Sequence, residues 1–300
     1  MSQEEKPYRA GFIALIGRPN VGKSTLLNQM VGEKVAIVSR KPQTTRHRII
    51  AIRHLPDAQL IFVDTPGMHA RTPREMNRYL NRTASSALAD VDAIIFMVDG
   101  LQWTADDDLA LSKARQAKVP MVLVINKIDR ITDKSLLLPH IEKLTAKADF
   151  AEVVPMSARR GTQLEELEAA LLELMPESPQ LFPDEQLTDR SDRFRAAELV
   201  REQLTRALGQ ELPYASTVEI EALEPDGELM RVSALIWVER PGQKAIIIGK
   251  KGQTLKQIGK DARLQMERLF GRQVYLRLWV KVREGWSDDR RALQSLGYEE

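Results

Sequence analysis

Short apolar runs alternate with helical periodicities along the first 175 residues. Gly11–Ile16, Gln59–Val63, Ala93–Val98, Met121–Ile125 and Glu152–Pro155 are brief and rich in β-formers, a pattern that predicts buried strands. Between them, Lys23–Val31, Asn77–Leu88, Asp106–Ala117, Lys134–Lys147 and Leu164–Met175 predict helices. Such alternation predicts an α/β domain, a mostly parallel sheet with helices on both faces. Sheets of this kind carry their chemistry in the loops beyond the carboxyl ends of the strands.

The rhythm then breaks. Met175–Asp189 holds three prolines and no sustained period, and it predicts a linker over 179–190 between domains at 1–178 and 191–300. Ser191–Leu208 predicts a helix with Phe194, Ala197, Leu199, Leu204 and Leu208 toward one side. Alternating strands follow over Ser216–Leu223 and Leu229–Glu239, joined by a turn at Asp226-Gly227. Ala245–Ile248 reads as an apolar strand end, followed by a helix to about Phe270 and a strand over Gln273–Arg283. The second domain is therefore expected to be a smaller α+β unit with its own core.

Composition narrows the chemistry. A chain of 300 residues is long enough for two domains of roughly 150 residues each. It contains no cysteine, which excludes disulfides, thiolate metal sites and Cys nucleophiles and suits a reducing cytosol. The N-terminus has no apolar signal region, and no apolar run approaches the roughly 20 residues that span a bilayer. The net charge is only +2, yet Pro241–Arg283 holds eleven basic residues against two acidic ones. That local excess of +9 predicts a phosphate-rich partner. The tail, Glu284–Glu300, is net acidic and carries Trp286.

Gly17-Arg18-Pro19-Asn20-Val21-Gly22-Lys23-Ser24, with Thr25 beyond it, fits G-x-x-x-x-G-K-[ST] between a strand and a helix. Its glycines let backbone N–H groups curl around phosphate oxygens at a helix N-terminus. Lys23 is expected to reach the β- and γ-phosphates, and Ser24 to ligate Mg²⁺. Asp64-Thr65-Pro66-Gly67 closes a strand, which places Asp64 near that Mg²⁺ and the Gly67 N–H at the γ-phosphate. Either Thr44 or Thr45, in the polar loop Glu33–Arg48, is expected to offer a second hydroxyl to the metal. Met68 stands where many GTPases carry a water-orienting Gln, so unaided hydrolysis is expected to be slow. Asn20 has two readings, as a cap of its own loop or as a ligand for a monovalent cation such as K⁺.

Base identity is expected from Asn126-Lys127-Ile128-Asp129. Asp129 can accept both guanine donors, N1–H and the exocyclic amine, whereas adenine would leave it unpaired. Asn126 would brace the loop or read the purine edge, and the Lys127 stem would lie over the base. Ser157-Ala158 follows the next strand, and the Ala158 N–H is expected at the guanine carbonyl. Together these residues predict a GTP or GDP pocket. In the basic domain, Ile248-Gly249-Lys250-Lys251-Gly252 presents G-x-x-G before a helix, the arrangement with which KH modules clamp about four nucleotides of single-stranded RNA. Lys250, Lys251 and Lys256 are the expected phosphate contacts, and Ile246, Ile247 and Ile248 line the groove or the core.

The set G-R-P-N-V-G-K-S, Q-T-T-R-H-R, D-T-P-G, N-K-x-D and S-A, followed by I-G-K-K-G, resembles the Era family of bacterial GTPases in the TrmE–Era superfamily. The resemblance runs nearly the whole chain. It implies a type II KH domain after the GTPase domain, and a role in small (30S) ribosomal subunit assembly with the KH domain on the 3′ end of the small-subunit rRNA. It further implies a cytoplasmic monomer with peripheral association at the inner face of the cell membrane. Two other readings stand beside it. One is a GTPase of the same superfamily whose C-terminal domain docks protein; the other is an RNA-binding protein whose nucleotide is only structural.

Overall fold

Six apolar strands form one sheet at the centre of the nucleotide-motif region. The computed structural model describes residues 7–39, 41, 44–66, 76, 79–80, 83, 88–209, 215–295 and 298. The helix expected over Asn77–Leu88 falls largely outside these residues, as do Gly67 and Met68. Two compact units divide the chain. Among the described residues, the first unit runs to Ala36, from Thr45 to Pro66 and from Leu80 to Asp189. The second takes Ile37–Thr44, Met76, Tyr79 and everything from Arg190 onward.

In the first unit, β1 (Arg9–Ile16), β3 (Ala58–Asp64), β4 (Ala93–Asp99), β5 (Met121–Asn126) and β6 (Glu152–Pro155) run parallel. β2 (Ile49–Leu55) forms an antiparallel edge on β3, giving the order β2-β3-β1-β4-β5-β6. Every residue of β3 and β5 is buried, as strands covered on both faces must be. One face carries α2 (Ala105–Ala114) and α3 (Leu137–Thr145), whose Ala110, Leu111, Ala114 and Leu144 pack on Ile94, Phe96, Val98, Leu123 and Ile125. In the same unit α1 (Lys23–Val31) and α4 (Leu164–Leu174) lie against β2, β3 and β6. β2 was not among the expected strands. Its Arg53 and His54 blur the apolar run, and only pairing with β3 makes it a strand.

The proline-rich linker is a strap. The Gln59 side chain, fully buried, accepts the N–H groups of Leu181 and Phe182 at 2.9 and 3.1 Å and donates to the Phe182 carbonyl at 2.6 Å. Further along, Ile52 N–H donates to the Leu187 carbonyl at 2.9 Å and Thr188 Oγ1 to the Ile50 carbonyl at 2.7 Å. Prolines suppress helical and strand periodicity in this stretch, but they leave enough backbone groups free to follow a strand edge.

The second unit has β7 (Ser216–Asp226), β8 (Leu229–Val238) and β9 (Gln273–Val282) in that order, antiparallel and then parallel. α5 (Asp192–Ala207) and α7 (Gln253–Phe270) share one core with the sheet, from Leu199, Val200, Leu204, Ile258, Ala262 and Met266 to Val232, Ala234, Ile236 and Val280. Residues 245–248 depart from expectation: they end a helix, α6 (Pro241–Ile248), rather than a strand. Four apolar residues cannot distinguish the two. The decisive signals lie upstream, Pro241 in the first turn and Gln243, whose Oε1 accepts the Arg240 N–H at 2.9 Å. Trp286 of the tail is fully buried in this unit and stacks on Tyr298.

Because Gln59 accepts both the Leu181 and Phe182 N–H groups, Gln59→Leu leaves those two part-buried donors without that partner, while the Phe182 carbonyl keeps Gln180 Nε2 at 2.9 Å. The substitution is expected to lower unfolding free energy by about 1–3 kcal/mol, read by urea denaturation.

Candidate nucleotide and RNA sites

Four parallel strands deliver the candidate nucleotide residues to one edge. β1 ends at Ile16 before the Gly17–Ser24 loop, β3 ends at Asp64, β5 at Asn126, and β6 ends two residues before Ser157. The loop is tight by necessity. Gly22 has φ 117°, and a Cβ there would lie 2.2 Å from Asn126 Nδ2. Lys23 folds over the loop, its Nζ donating to the carbonyls of Gly17 at 2.8 Å and Arg18 at 3.1 Å. Burial pushes the Lys23 pKa down to about 8, while Asp64 pulls the other way.

Three side chains gather where a metal is expected. Ser24 Oγ donates to Asp64 Oδ2 at 2.9 Å and lies 3.0 Å from Thr45 Oγ1, which itself donates to Asp64 Oδ2 at 3.2 Å. Thr44 points elsewhere, its hydroxyl donating to the Lys41 carbonyl at 2.7 Å. The pair Thr44/Thr45 is thus separated by geometry, and only Thr45 joins Ser24 and Asp64. Burial raises the Asp64 pKa against the opposing influence of Lys23, Ser24 and Thr45, and Asp64 Oδ1 is buried with no hydrogen-bond partner. An all-oxygen set with one orphaned carboxylate oxygen fits a hard divalent cation. No group of three or more acidic or His side chains gathers among the described residues, so most of such a cation's shell is left to phosphate and water.

At the base side, Asn126 is buried and braces the site: Nδ2 donates to the Val21 carbonyl at 2.7 Å, and Oδ1 accepts the Ala158 N–H at 2.9 Å. The Ala158 N–H therefore meets Asn126, not open space at a guanine carbonyl. Asp129 Oδ1 accepts from Ser157 Oγ at 2.7 Å, which holds its carboxyl below the usual carboxylate range. Lys127, in the left-handed region at φ 64°, stretches along the phosphate loop, donating to the Asn20 carbonyl at 2.7 Å and pairing with Asp99. Thr65 Oγ1 donates to the Leu15 carbonyl at 3.3 Å, so that side chain ties β3 to β1. Asn20 has φ 65°, which suits the loop-capping reading without bearing on a cation.

Residues outside the motifs also hold the loop. Arg18 Nε donates to the fully buried Asp107 Oδ2 at 3.1 Å, and Arg18 Nη2 to Gln102 at 3.2 Å. The signal for Asp107 was present in Thr104-x-x-Asp107, a capping box that opens α2.

In the second unit, Gly249 and Gly252 turn the backbone at φ 71° and 77°. A Cβ on Gly249 would strike Thr254 Oγ1 at 2.1 Å, whereas at Gly252 the space is open and only the dihedral favours glycine. Lys250, Lys251 and Lys256 are exposed. The three isoleucines divide: Ile247 is core, Ile248 packs partly against that core, and Ile246 is 55% exposed.

Comparison with known proteins finds two family models along the chain. A family model described as 50S ribosome-binding GTPase matches residues 12–127, and a KH domain model matches 211–287. The chain is 55% identical over 294 residues to GTPase Era of Marinobacter nauticus, covering 98% of this chain and 96% of the relative. It is likewise 55% identical over 299 residues to GTPase Era of Xanthomonas oryzae pv. oryzae, covering 100% of both. A crystal structure of a single-residue variant of Aquifex aeolicus Era bound to GDP·AlF₄⁻ superposes with TM-score 0.93 at 38% identity, covering 97% of this chain and 100% of that one. A structure of Era with MgGDPNP and nucleotides 1506–1542 of 16S ribosomal RNA gives TM-score 0.93 at 38% identity, with 98% and 100% coverage.

Ser157→Ala removes the donor that stabilises ionised Asp129. The Asp129 pKa then rises toward the ordinary carboxylate value, so affinity for GDP begins to fall at a higher pH during acidification. The measurement is the acidic limb of GDP affinity against pH, wild type beside variant.

Proposed function

The chain belongs to the Era family of GTPases, and from that premise we propose that it is a GTP-hydrolysing switch that binds the 3′ end region of small-subunit rRNA during 30S assembly. The observation that carries this reading is the meeting of Ser24, Thr45 and Asp64 beside a Lys23-bearing phosphate loop. Those three residues hold Mg²⁺, which when bound neutralises charge on the β- and γ-phosphates. Lys23 exchanges the Gly17 and Arg18 carbonyls for phosphate oxygens. Asp129 reads guanine, and Asn126 keeps the reading loop on the phosphate loop.

Thr45 is the residue through which the protein feels the γ-phosphate. Its hydroxyl is ordered when the metal and γ-phosphate are in place and released on hydrolysis, as in other switch segments. Hydrolysis is slow because Met68 cannot orient a water. RNA is held by Gly249-Lys250-Lys251-Gly252, with Lys256 on a phosphate and the exposed Ile246 against a base. The Era relative solved with 16S RNA supplies the RNA class.

The same reading takes the protein to be a cytoplasmic monomer with peripheral contact at the inner face of the cell membrane. No helix among the described residues is long and apolar enough to cross a membrane. Asn20 keeps its two readings, loop cap and K⁺ ligand; the second implies faster GTP turnover in K⁺ than in Na⁺ at equal ionic strength, and equal rates would remove the cation role.

The reading is tested by GTP hydrolysis and RNA binding with a fragment of the 3′ end of small-subunit rRNA, comparing wild type with Lys250→Asp/Lys251→Asp. The wild type is expected to bind with steep salt dependence. The variant is expected to lose affinity, and each lost phosphate contact reduces the salt slope by about 1. Salt-independent binding unaffected by the substitutions would point to a protein-docking domain instead.

A further inference from the structure

Side chains alternate across the three-stranded sheet of the second unit, and its helices cover only one side. In β9, Val274, Leu276, Leu278, Val280 and Val282 belong to the core that the sheet shares with α5 and α7. Leu278 meets α7 so closely that a Cβ on Gly259 would lie 3.3 Å from its Cδ1. The intervening residues therefore point to the opposite side. They are Tyr275, Arg277, Trp279 and Lys281, an aromatic–cation–aromatic–cation column on a single strand. All four are exposed, Tyr275 and Trp279 by 44% and 42%.

One exposed aromatic is unremarkable; two on one strand, each beside a cation, form a patch. Through the β8–β9 register Arg231 stands next to Tyr275 and Trp237 next to Lys281. Arg277 lies 5.3 Å and Arg231 5.9 Å from the Tyr275 ring, and Lys281 lies 5.8 Å from the Trp237 ring. Arg277 Nε also donates to the Tyr275 hydroxyl at 3.2 Å, which orders that ring on the sheet. The acidic partners of this face belong to β7. Glu219 accepts from Trp237 Nε1 at 2.8 Å, Glu221 lies 3.8 Å from Lys281, and Asp226 pairs with Arg231 at 2.6 Å. The β9 column itself holds no carboxylate. Same-face positions on a strand are about 6.6 Å apart, so the two rings stand about 13 Å apart with a guanidinium between them.

We propose that this helix-free face is a second contact surface for single-stranded RNA: unpaired bases stack on Tyr275 and Trp279 while Arg277 and Lys281 take adjoining phosphates. The proposal rests on the reading of this unit as an RNA binder and extends it beyond G-x-x-G. An unpaired strand meets both demands of the column at once, negative charge for the cations and a flat π surface for the rings. Bases inside a duplex are already stacked and offer no face. Every base has such a face, so the column tolerates sequence and leaves selection to the groove. G-x-x-G lies on the helix side, between α6 and α7, and β9 is an edge strand of the sheet. A strand leaving the helix side thus meets the column after rounding β9 alone.

The test uses the full chain and single-stranded fragments from the 3′ end of small-subunit rRNA in two lengths. About four nucleotides fill a G-x-x-G clamp, and about twelve reach past it. Trp279→Ala is expected to weaken binding of the longer fragment about tenfold, with the shorter within about twofold of wild type. Trp279→Phe keeps a stacking ring and is expected to bind the longer fragment within about threefold of wild type. Arg277→Gln is expected to reduce the salt slope for the longer fragment by about 1. GTP turnover without RNA is expected to match wild type in all three variants, because neither residue belongs to the nucleotide motifs. Unchanged affinity of Trp279→Ala for the longer fragment, or equal weakening of both lengths, would overturn the proposal. Loss of binding to anionic phospholipid vesicles in that variant, with RNA affinity intact, would overturn it in favour of a membrane contact. Failure of wild type to bind either length would instead refute the RNA reading from which it starts.

Discussion

A carboxylate cannot be stripped of water and left alone, and Asp64 is the carboxylate around which this nucleotide site is arranged. It ends a strand whose every residue is buried, it carries a pKa raised by that burial, and one of its oxygens has no hydrogen-bond partner. Ser24, Thr45 and the nearby Lys23 offset part of the cost. What remains is an electrostatic deficit that a divalent cation relieves. Ser24 in the first turn of α1, Thr45 ahead of β2 and Asp64 at the end of β3 meet at this one carboxylate.

The base side solves a different problem. Asn126 is spent on the protein itself, joining the Val21 carbonyl to the Ala158 N–H, and so it fixes the phosphate loop and the Ser157-Ala158 turn as one piece. Ser157 donates to Asp129 and holds its carboxyl below the usual carboxylate range.

Much of this was legible in the sequence because the residues are chemically obligatory at fixed spacing. The phosphate-loop glycines, Lys23, Ser24, Asp64, Asn126 and Asp129 can be placed from pattern alone, since each closes or follows an apolar strand. Thr44 and Thr45 could not be separated, because two adjacent threonines differ only in which way the backbone turns, and contacts from Lys41 and Arg201 decide that. Residues 245–248 misled because four apolar residues have no period; the helix is declared by Pro241 and Gln243. β2 escaped because its strand character is conferred by β3, and the strap of residues 176–189 because proline conceals pairing capacity. The buried charge on α5, at Glu198, Arg201 and Glu202, was invisible for a general reason: Glu and Arg in a helix read as a solvated face until the packing is known.

The strap has a further consequence for solubility. β2 is one of the two edge strands of the six, and an edge strand offers unsatisfied N–H and C=O groups to any other chain that can pair with it. Here Leu187, Thr188 and Asp189 occupy that edge at Ile50 and Ile52. The stretch joining the two units therefore also guards the β2 edge against intermolecular strand addition. A nucleotide-binding half cut off at the end of α4 would keep all its motifs but expose that edge, and self-association would be its characteristic fault.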